Sequence, residues 1–203
     1  MNQAGELLAD ALIVLDSRIA APPDATDGAE ESAADWVQPA GTFVSDEARL
    51  EAALERLTAV ADAYPNLRHG IAARYEAAGA LVALGRLDEA SAAYEQVIAA
   101  GGDQLHGAVA RLGLAETRIL DGDAAGAVTL LEQETTVAES AVPLDAVLMR
   151  LGHAYELTGQ DSDALAAFTR VVEEFPLSLY ASEARRKADA LDLAASGGTA
   201  SGN

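Results

Sequence analysis

The chain has 203 residues, enough for one domain with a short extension, and its 33 acidic and 13 basic residues give a formal charge of −20. This charge argues against nucleic acids and anionic lipid surfaces as partners, because binding to either requires a basic surface. Cysteine is absent, which excludes disulfide bonds, thiolate metal sites and thiol nucleophiles.

The first segment, residues 1–20, is predicted to form an amphipathic helix. Its apolar residues recur at three- and four-residue spacing, as they do on one face of a helix, and they are Leu7, Leu8, Ala11, Leu12, Leu15 and Ile19. No Lys or Arg precedes this stretch, and it is too short to cross a bilayer. We therefore expect neither a signal peptide nor a transmembrane segment in the chain as given.

Residues 21–44 are predicted to form an acidic linker, because they contain prolines and glycines, carry only acidic charges and show no periodicity. Two aromatic residues stand out in it, Trp36 and Phe43. Either they bury one ring each and fix the linker to the body, or they form a partner-binding motif within the loop. At the other end of the chain, residues 196–203 are predicted to form a flexible tail.

Residues 45–195 repeat with a step of 37 residues. Gly85, Gly122 and Gly159 stand where helices are expected to end, and each is followed five residues later by Ala and nine residues later by a large apolar residue. The step predicts a helix over 45–63, then helix pairs over 70–84 with 87–100, 106–120 with 124–138 and 143–157 with 161–174, and a last helix over 178–193. Self-similarity at such a period is typical of a solenoid.

The run from Leu151 to Pro176 resembles a tetratricopeptide repeat almost position for position. It carries Leu-Gly at its start, then Tyr155, Gly159, Ala164 and Phe168, and a closing proline. The repeat around Gly85 has Leu81 in the tyrosine position, and the repeat around Gly122 has Arg118 there and Glu134 at a usually apolar position. The resemblance implies an all-α, right-handed solenoid of antiparallel helix pairs with an extra N-terminal helix.

The step of 37 residues, rather than the usual 34 or so of this family, is similar to that of repeats in bacterial envelope proteins. AYPNL and EFPLSLYASEARRKADAL resemble segments of the Tol–Pal-associated cell-division coordinator and of the outer-membrane-assembly lipoproteins. The whole layout most resembles the ancillary SecYEG translocon subunit group, whose members carry a membrane anchor before the region seen here. The resemblance implies a place in the bacterial cell envelope, on the periplasmic side of the inner membrane, with a membrane-protein complex as the setting.

The residues that could carry catalysis or hold a metal ion are too few or too far apart. His69 and His106 are one repeat apart in sequence, which separates them by about 10 Å, too far for one metal ion with bonds of about 2 Å. The carboxylates of Glu173 and Glu174 are adjacent and point to different helix faces. His153 either contacts a ligand or simply packs. We therefore expect no enzyme activity, no metal site and no cofactor.

In tetratricopeptide repeats the first helix of each pair lines the concave face, and the resemblance places eight residues of this chain there. This first-helix surface consists of Tyr75, Val82, Leu112, Glu116, Ile119, Met149, His153 and Glu156. The prediction is a non-enzymatic scaffold that binds a partner helix or extended peptide on this surface. The alternative is a self-associating structural scaffold, a homo-oligomer, whose groove is filled near Tyr75, Leu112 and Met149 by its own N-terminal helix.

Overall fold

The computed structural model describes residues 3–22, 36–101, 105–137 and 140–200. Within these ranges the chain forms nine helices and two strands of two residues each, so the predicted all-α fold is confirmed. The elements are, in order, α1 (Gln3–Leu15), β1 (Arg18–Ile19), β2 (Thr42–Phe43), α2 (Asp46–Ala63), α3 (Arg68–Ala83), α4 (Leu87–Gly101), α5 (Leu105–Leu120), α6 (Ala124–Thr135), α7 (Leu144–Leu157), α8 (Asp161–Glu174) and α9 (Ala181–Ala200).

The chain divides into two compact units, Met1–Ala100 and Gly101–Asn203. Helices α1 to α4 belong to the first unit, apart from the last residue of α4, and helices α5 to α9 belong to the second. The repeat domain predicted over residues 45–195 runs through both units, and its standing as one domain stays a prediction. No helix of the described ranges combines the length and the hydropathy that crossing a membrane requires.

Each predicted helix pair turns at a glycine in the left-handed backbone region. Gly85, Gly122 and Gly159 have φ angles of 73°, 87° and 71°, at which any other side chain would be strained. The next backbone N–H closes the turn, as where Arg86 N donates to the carbonyl oxygen of Leu81 at 2.9 Å. The bounds predicted for α2 to α8 agree with the structure to within three residues.

The helices α2, α4, α6 and α8 each place one small and one large residue in the core at equivalent positions. The small ones are Ala53, Ala90, Ala127 and Ala164, each 0% exposed, and the large ones are Leu57, Tyr94, Leu131 and Phe168, none more than 6% exposed. The small residue lets the paired first helix approach closely, and the large one fills the space beside it. The sequence step of 37 residues is therefore a repeat in packing as well.

In the first unit, α1 packs against α2 and α3. It buries the small residues Ala4, Ala11 and Val14, and Leu8 and Leu15 are half-buried against the core of α2 and α3. Because the buried residues are small, the axis of α1 can lie close to that of α2. The N-terminal helix is therefore part of the first unit's core.

The N-terminal helix is shorter than predicted. It ends at Leu15, and Ser17 Oγ donates to the carbonyl oxygen of Ile13 at 2.8 Å beside that end. The chain then becomes extended, because β1 pairs in parallel with β2, which brings Ile19 next to Phe43. Ile19 is thus an exposed strand residue, not part of a helix face. Residues 23–35, the centre of the predicted linker, lie outside the described ranges.

The two aromatic residues of the predicted linker differ in their surroundings. Phe43 packs against the core of the first unit, as the burying alternative predicts, and its carbonyl oxygen accepts from Ala20 N at 2.7 Å. Trp36 is half-buried. The end of the predicted linker is therefore held by β2 and by one of its two rings.

In the second unit, α5 to α9 pack each on the next, and the last helix is longer than predicted. Ala194 and Ala195 have high helix propensity and continue α9 past Leu193 to Ala200. Ser196 Oγ donates to the carbonyl oxygen of Asp192 at 2.9 Å. Residues 196–200 of the predicted tail are therefore helical, and residues 201–203 lie outside the described ranges.

Candidate functional site

Two residues of the first-helix surface, Tyr75 and Val82, lie on α3 in the first unit. The ring of Tyr75 meets that of Tyr94 edge to face, with 5.8 Å between their centroids. Burial, and after it the nearby Tyr75 and Glu76, raises the pKa of the Tyr94 hydroxyl to about 12. Val82 is half-buried against the core of α2 and α3. This part of the surface is aromatic and apolar, and the Tyr94 hydroxyl stays neutral at ordinary pH.

Glu76, next to Tyr75 in α3, is partly buried. Burial, and after it the negative charge of Asp16, raises the pKa of the Glu76 carboxyl. Asp16 directly follows α1, so the end of the N-terminal helix lies near this part of α3. The sequence also predicts that this helix covers the surface near Leu112 and Met149. Both residues belong to the second unit, and cover of that surface stays a prediction.

In the second unit, three residues of the first-helix surface line one cavity of about 290 Å³, which we call the Met149 cavity. Glu116 comes from α5, and Met149 and His153 come from α7. The complete lining is Glu116, Met149, Arg150, His153, Phe168, Tyr180, Glu183 and Lys187. Three of the eight predicted residues, from two first helices, therefore line one cavity together.

The Met149 cavity has an apolar floor and a charged rim. The Phe168 ring is fully buried beneath it, Met149 and Tyr180 are half-buried, and His153 is exposed. Glu156, the last predicted residue of α7, does not line the cavity but accepts from Lys187 Nζ at 2.7 Å. Lys187 is the only lysine of the chain.

The residues that α9 contributes to this cavity were not predicted from the sequence. Glu183 and Lys187 lie one step of 37 residues after Ala146 and Arg150 of α7. One further step from the predicted Met149, His153 and Glu156 gives Arg186, Ala190 and Leu193 instead, so the predicted register would not have found these two residues.

Leu112 and Ile119, the other two predicted residues, lie on α5 without reaching the Met149 cavity. Both are half-buried and pack against the core formed by α5, α6 and α7. Among the described residues, no group of three histidine or acidic side chains is arranged to hold a metal ion.

A second cavity, of about 600 Å³, lies in the first unit and was not predicted from the sequence. Helices α2, α3 and α4 form it, and Leu81 lies on its floor. We call it the Leu81 groove; its lining is Glu51, Leu54, Glu55, Thr58, Ala61, Asp62, Arg74, Ala77, Leu81, Arg86, Glu89, Ala92, Ala93 and Gln96.

Buried charge in the second unit explains the unusual Glu134 of α6. Glu134 is 1% exposed, and its carboxylate accepts from Arg111 Nε of α5 and from Ser140 Oγ. The ion pair links α5 to α6, and the hydrogen bond from Ser140 adds the segment before α7. A charged residue at an apolar repeat position is therefore matched by a charged partner on the neighbouring helix.

Comparison with known proteins agrees with this architecture. The tetratricopeptide-repeat family profile matches residues 71–100, across α3 and α4, and residues 146–178, across α7 and α8. The fold is thus of the tetratricopeptide-repeat type. No curated protein is similar enough in sequence to match the chain.

Solved structures of repeat proteins share this fold at low sequence identity. Nearly identical TPR-like repeats from Podosopora anserina align with a TM-score of 0.61 and 22% identity, covering 73% of this chain and 80% of that one. A tetratricopeptide repeat protein from Parabacteroides merdae aligns with a TM-score of 0.59 and 16% identity, and the alignment covers 72% of this chain and 55% of that one. MamA protein aligns with a TM-score of 0.56 and 13% identity, and the alignment covers 92% of this chain and 87% of that one.

Proposed function

We propose that this chain is a non-enzymatic scaffold that binds a partner helix or extended peptide on its first-helix surface. One observation carries the proposal. Glu116, Met149 and His153 come from two different helices and converge on one cavity at the positions that the repeat register assigns to the concave face. The tetratricopeptide-repeat fold supports the same reading, since repeats of this kind typically serve as adaptors between proteins.

The chemistry of the Met149 cavity suits a peptide better than a small anion. Met149, Tyr180 and the Phe168 ring offer apolar contact, and the methionine can adapt to different side chains. On the rim, Arg150 and Lys187 are balanced by Glu116 and Glu183, and Lys187 is already engaged by Glu156. A free carboxylate clamp would need unpaired basic groups, so the partner is expected to bind through apolar side chains with polar groups at the edge.

The setting of the scaffold belongs to the same proposal. Similarity to the SecYEG ancillary subunit group and to the Tol–Pal-associated coordinator favours the bacterial cell envelope, with a membrane-protein complex as partner. This rests on the sequence resemblance, on the segments quoted above. The net charge of −20 supports a protein partner over nucleic acid.

A structural scaffold is the second candidate, and the packing of α1 favours it. Leu8 and Leu15 of α1 are half-buried against the chain's own core, so one apolar helix already occupies part of the first unit. If self-association is the function, the protein should be oligomeric at micromolar concentration without any partner. Light scattering after gel filtration distinguishes this from a monomer that captures peptides.

A peptide selection tests the proposal directly. Peptides selected from a random library on the wild-type chain should lose about tenfold or more in affinity for Met149→Glu. The matched control is Ala166→Glu, which adds the same charge at an exposed position of α8. Melting curves establish that both variants fold. Selected peptides that bind both variants equally would place the binding site elsewhere and overturn the assignment.

A further inference from the structure

We propose that the Leu81 groove of the first unit is a second peptide site, which takes a basic amphipathic segment of a protein partner. It shares no residue with the first-helix surface, so the inference stands independently of the function proposed above. Support comes from the shape of the groove, from the equivalent positions in the second unit and from the charge of its lining.

The groove has the dimensions of a short peptide segment. Helix α2 contributes residues along one whole face, from Glu51 to Asp62, α4 forms the opposite wall, and α3 forms the floor. Eleven residue steps along α2 correspond to about 16 Å, or three helical turns. The space is therefore long enough for a peptide of about twelve helical residues to lie in it.

The floor of the groove is apolar, and two residues of its α4 wall have small side chains. Leu54, Ala77 and Leu81 are between 5% and 8% exposed. On α4, Ala92 and Ala93 face the groove where a larger side chain would close it. Apolar side chains of an incoming segment would thus be withdrawn from water against a preformed surface.

In the second unit, a hydrogen-bonded pair of side chains stands at the positions equivalent to Thr58 and Leu81 of the groove. Two repeat steps, or 74 residues, after Thr58 and Leu81 come Glu132 of α6 and Tyr155 of α7. Tyr155 Oη donates to Glu132 Oε1 at 2.6 Å, so this tyrosine reaches from the floor helix to the wall helix. The first unit has a leucine and a threonine at these positions, which are too short to make that bridge. Between Leu81 and Thr58 the groove is therefore not crossed by such a bridge.

The groove also lies on a different face of α3 from the first-helix surface. Arg74 and Leu81 line the groove, whereas Tyr75 and Val82 belong to the first-helix surface. Each of these neighbours is one residue further along, which rotates it by about 100° round the helix. A segment in the Leu81 groove would therefore leave the Tyr75 face accessible.

The charges that line the groove favour a basic segment. The lining holds four carboxylates, Glu51, Glu55, Asp62 and Glu89, against the two guanidinium groups of Arg74 and Arg86, which leaves a formal charge of −2. Arg86 is paired with Glu89 at 2.6 Å and with Glu51 at 3.5 Å, and Arg74 is paired with Asp62 at 3.3 Å.

Glu55 is the remaining carboxylate, and it is paired with no arginine in the part of the chain that the structure describes. It lies in the middle of the α2 wall and is exposed. A lysine or arginine of an otherwise apolar segment would find its counter-charge there, above an apolar floor. The excess of acidic residues over the whole chain would attract the same segment from a distance.

A synthetic peptide tests the proposal. The probe is a fluorescent peptide of about twelve residues with leucine and lysine at helical spacing, and its control has glutamate in place of every lysine. At physiological ionic strength, fluorescence anisotropy should show about tenfold tighter binding of the lysine peptide to the wild-type chain. Equal binding of the two peptides would overturn the assignment of a basic ligand.

The decisive variant introduces into the groove the tyrosine and glutamate that form the bridge between Tyr155 and Glu132 in the second unit. Thr58→Glu with Leu81→Tyr should weaken binding of the lysine peptide about tenfold, although it adds a negative charge. Non-specific attraction to an acidic protein would instead make binding equal or tighter, and that result would overturn the proposal. Glu55→Lys, at an exposed position where folding is not at risk, should also weaken binding about tenfold, and unchanged binding would contradict the role of Glu55. Met149→Glu should leave binding of this peptide unchanged, which separates the two sites.

Discussion

Phe168 of α8 packs its ring directly on the backbone of α7 at Gly152. A Cβ atom placed on Gly152 would stand 2.5 Å from Cε1 of that ring, closer than any real contact. The equivalent pair in the preceding repeat is Ala115 with Leu131, in which a larger first residue meets a smaller second one. Between these two repeats, the two positions therefore compensate each other in size.

Gly152→Leu should lower the free energy of unfolding by about 1–3 kcal/mol, because the side chain is forced into a filled helix crossing. Chemical denaturation followed by circular dichroism measures this change. The pair Gly152→Ala with Phe168→Leu recreates the preceding repeat and should lose less than the sum of its single variants. Strict additivity would mean that the two residues do not touch in solution.

The buried pair of Arg111 and Glu134 provides a second test, because the next repeat has Leu148 and Val171 at the same positions. Glu134→Val alone should cost about 3 kcal/mol, since it leaves Arg111 with a charge that is only 12% exposed. Adding Arg111→Leu should bring stability back to within about 1 kcal/mol of the wild type. Urea denaturation of the single and double variants measures both values, and a double variant no better than the single one would contradict the prediction.

Stability should depend on the protonation of Glu76. Since burial, with the charge of Asp16, raises the pKa of this carboxyl in the folded state, its contribution is fully present below the ordinary value of 4.5 and is lost as pH rises through the raised value. Glu76→Gln should therefore raise the melting temperature at neutral pH, and the difference from the wild type should vanish below pH 4.5. Asp16→Asn should act in the same direction. A difference independent of pH would show that the effect is not one of charge.

The docking of α1 can be tested by two substitutions on one helix. Ala11 is 0% exposed, so Ala11→Asp buries an unpaired carboxylate and should release α1 at a cost above about 3 kcal/mol. Ala9→Asp makes the same change at an exposed position and should alter stability by no more than about 0.5 kcal/mol. Hydrogen exchange of α2 amides reports the release, because α2 is the surface on which α1 lies. Equal exchange in the two variants would mean that α1 does not pack there.

Much of the fold follows from the sequence because its determinants are local. Gly85, Gly122 and Gly159 end helices by backbone conformation alone, and the alanine that follows five residues later marks each crossing. The end of α1 at Leu15 could not be predicted in this way. It depends on pairing of Ile19 with Phe43, a contact between residues far apart in sequence.

The candidate sites also divide into residues that the sequence predicts and a groove that it does not. The repeat register predicted Glu116, Met149 and His153, since each is a fixed offset from a glycine turn. The motif shows Leu81 in the tyrosine position, but the Leu81 groove itself depends on how α2, α3 and α4 pack, which the motif does not give. The hydrogen bond between Tyr155 and Glu132 in the second unit shows which contact is missing between Leu81 and Thr58.

The solitary Lys187 makes the Met149 cavity chemically addressable. Apart from the α-amino group, its Nζ is the one primary amine in the chain, and its side chain is 38% exposed beside Glu156. Acylating reagents and amine-directed crosslinkers, which label most proteins indiscriminately, would act here as site-specific reagents. A ligand seated in the cavity would shield that amine, so the rate of acylation at Lys187, followed by mass spectrometry, is a footprint of occupancy in the unmodified protein.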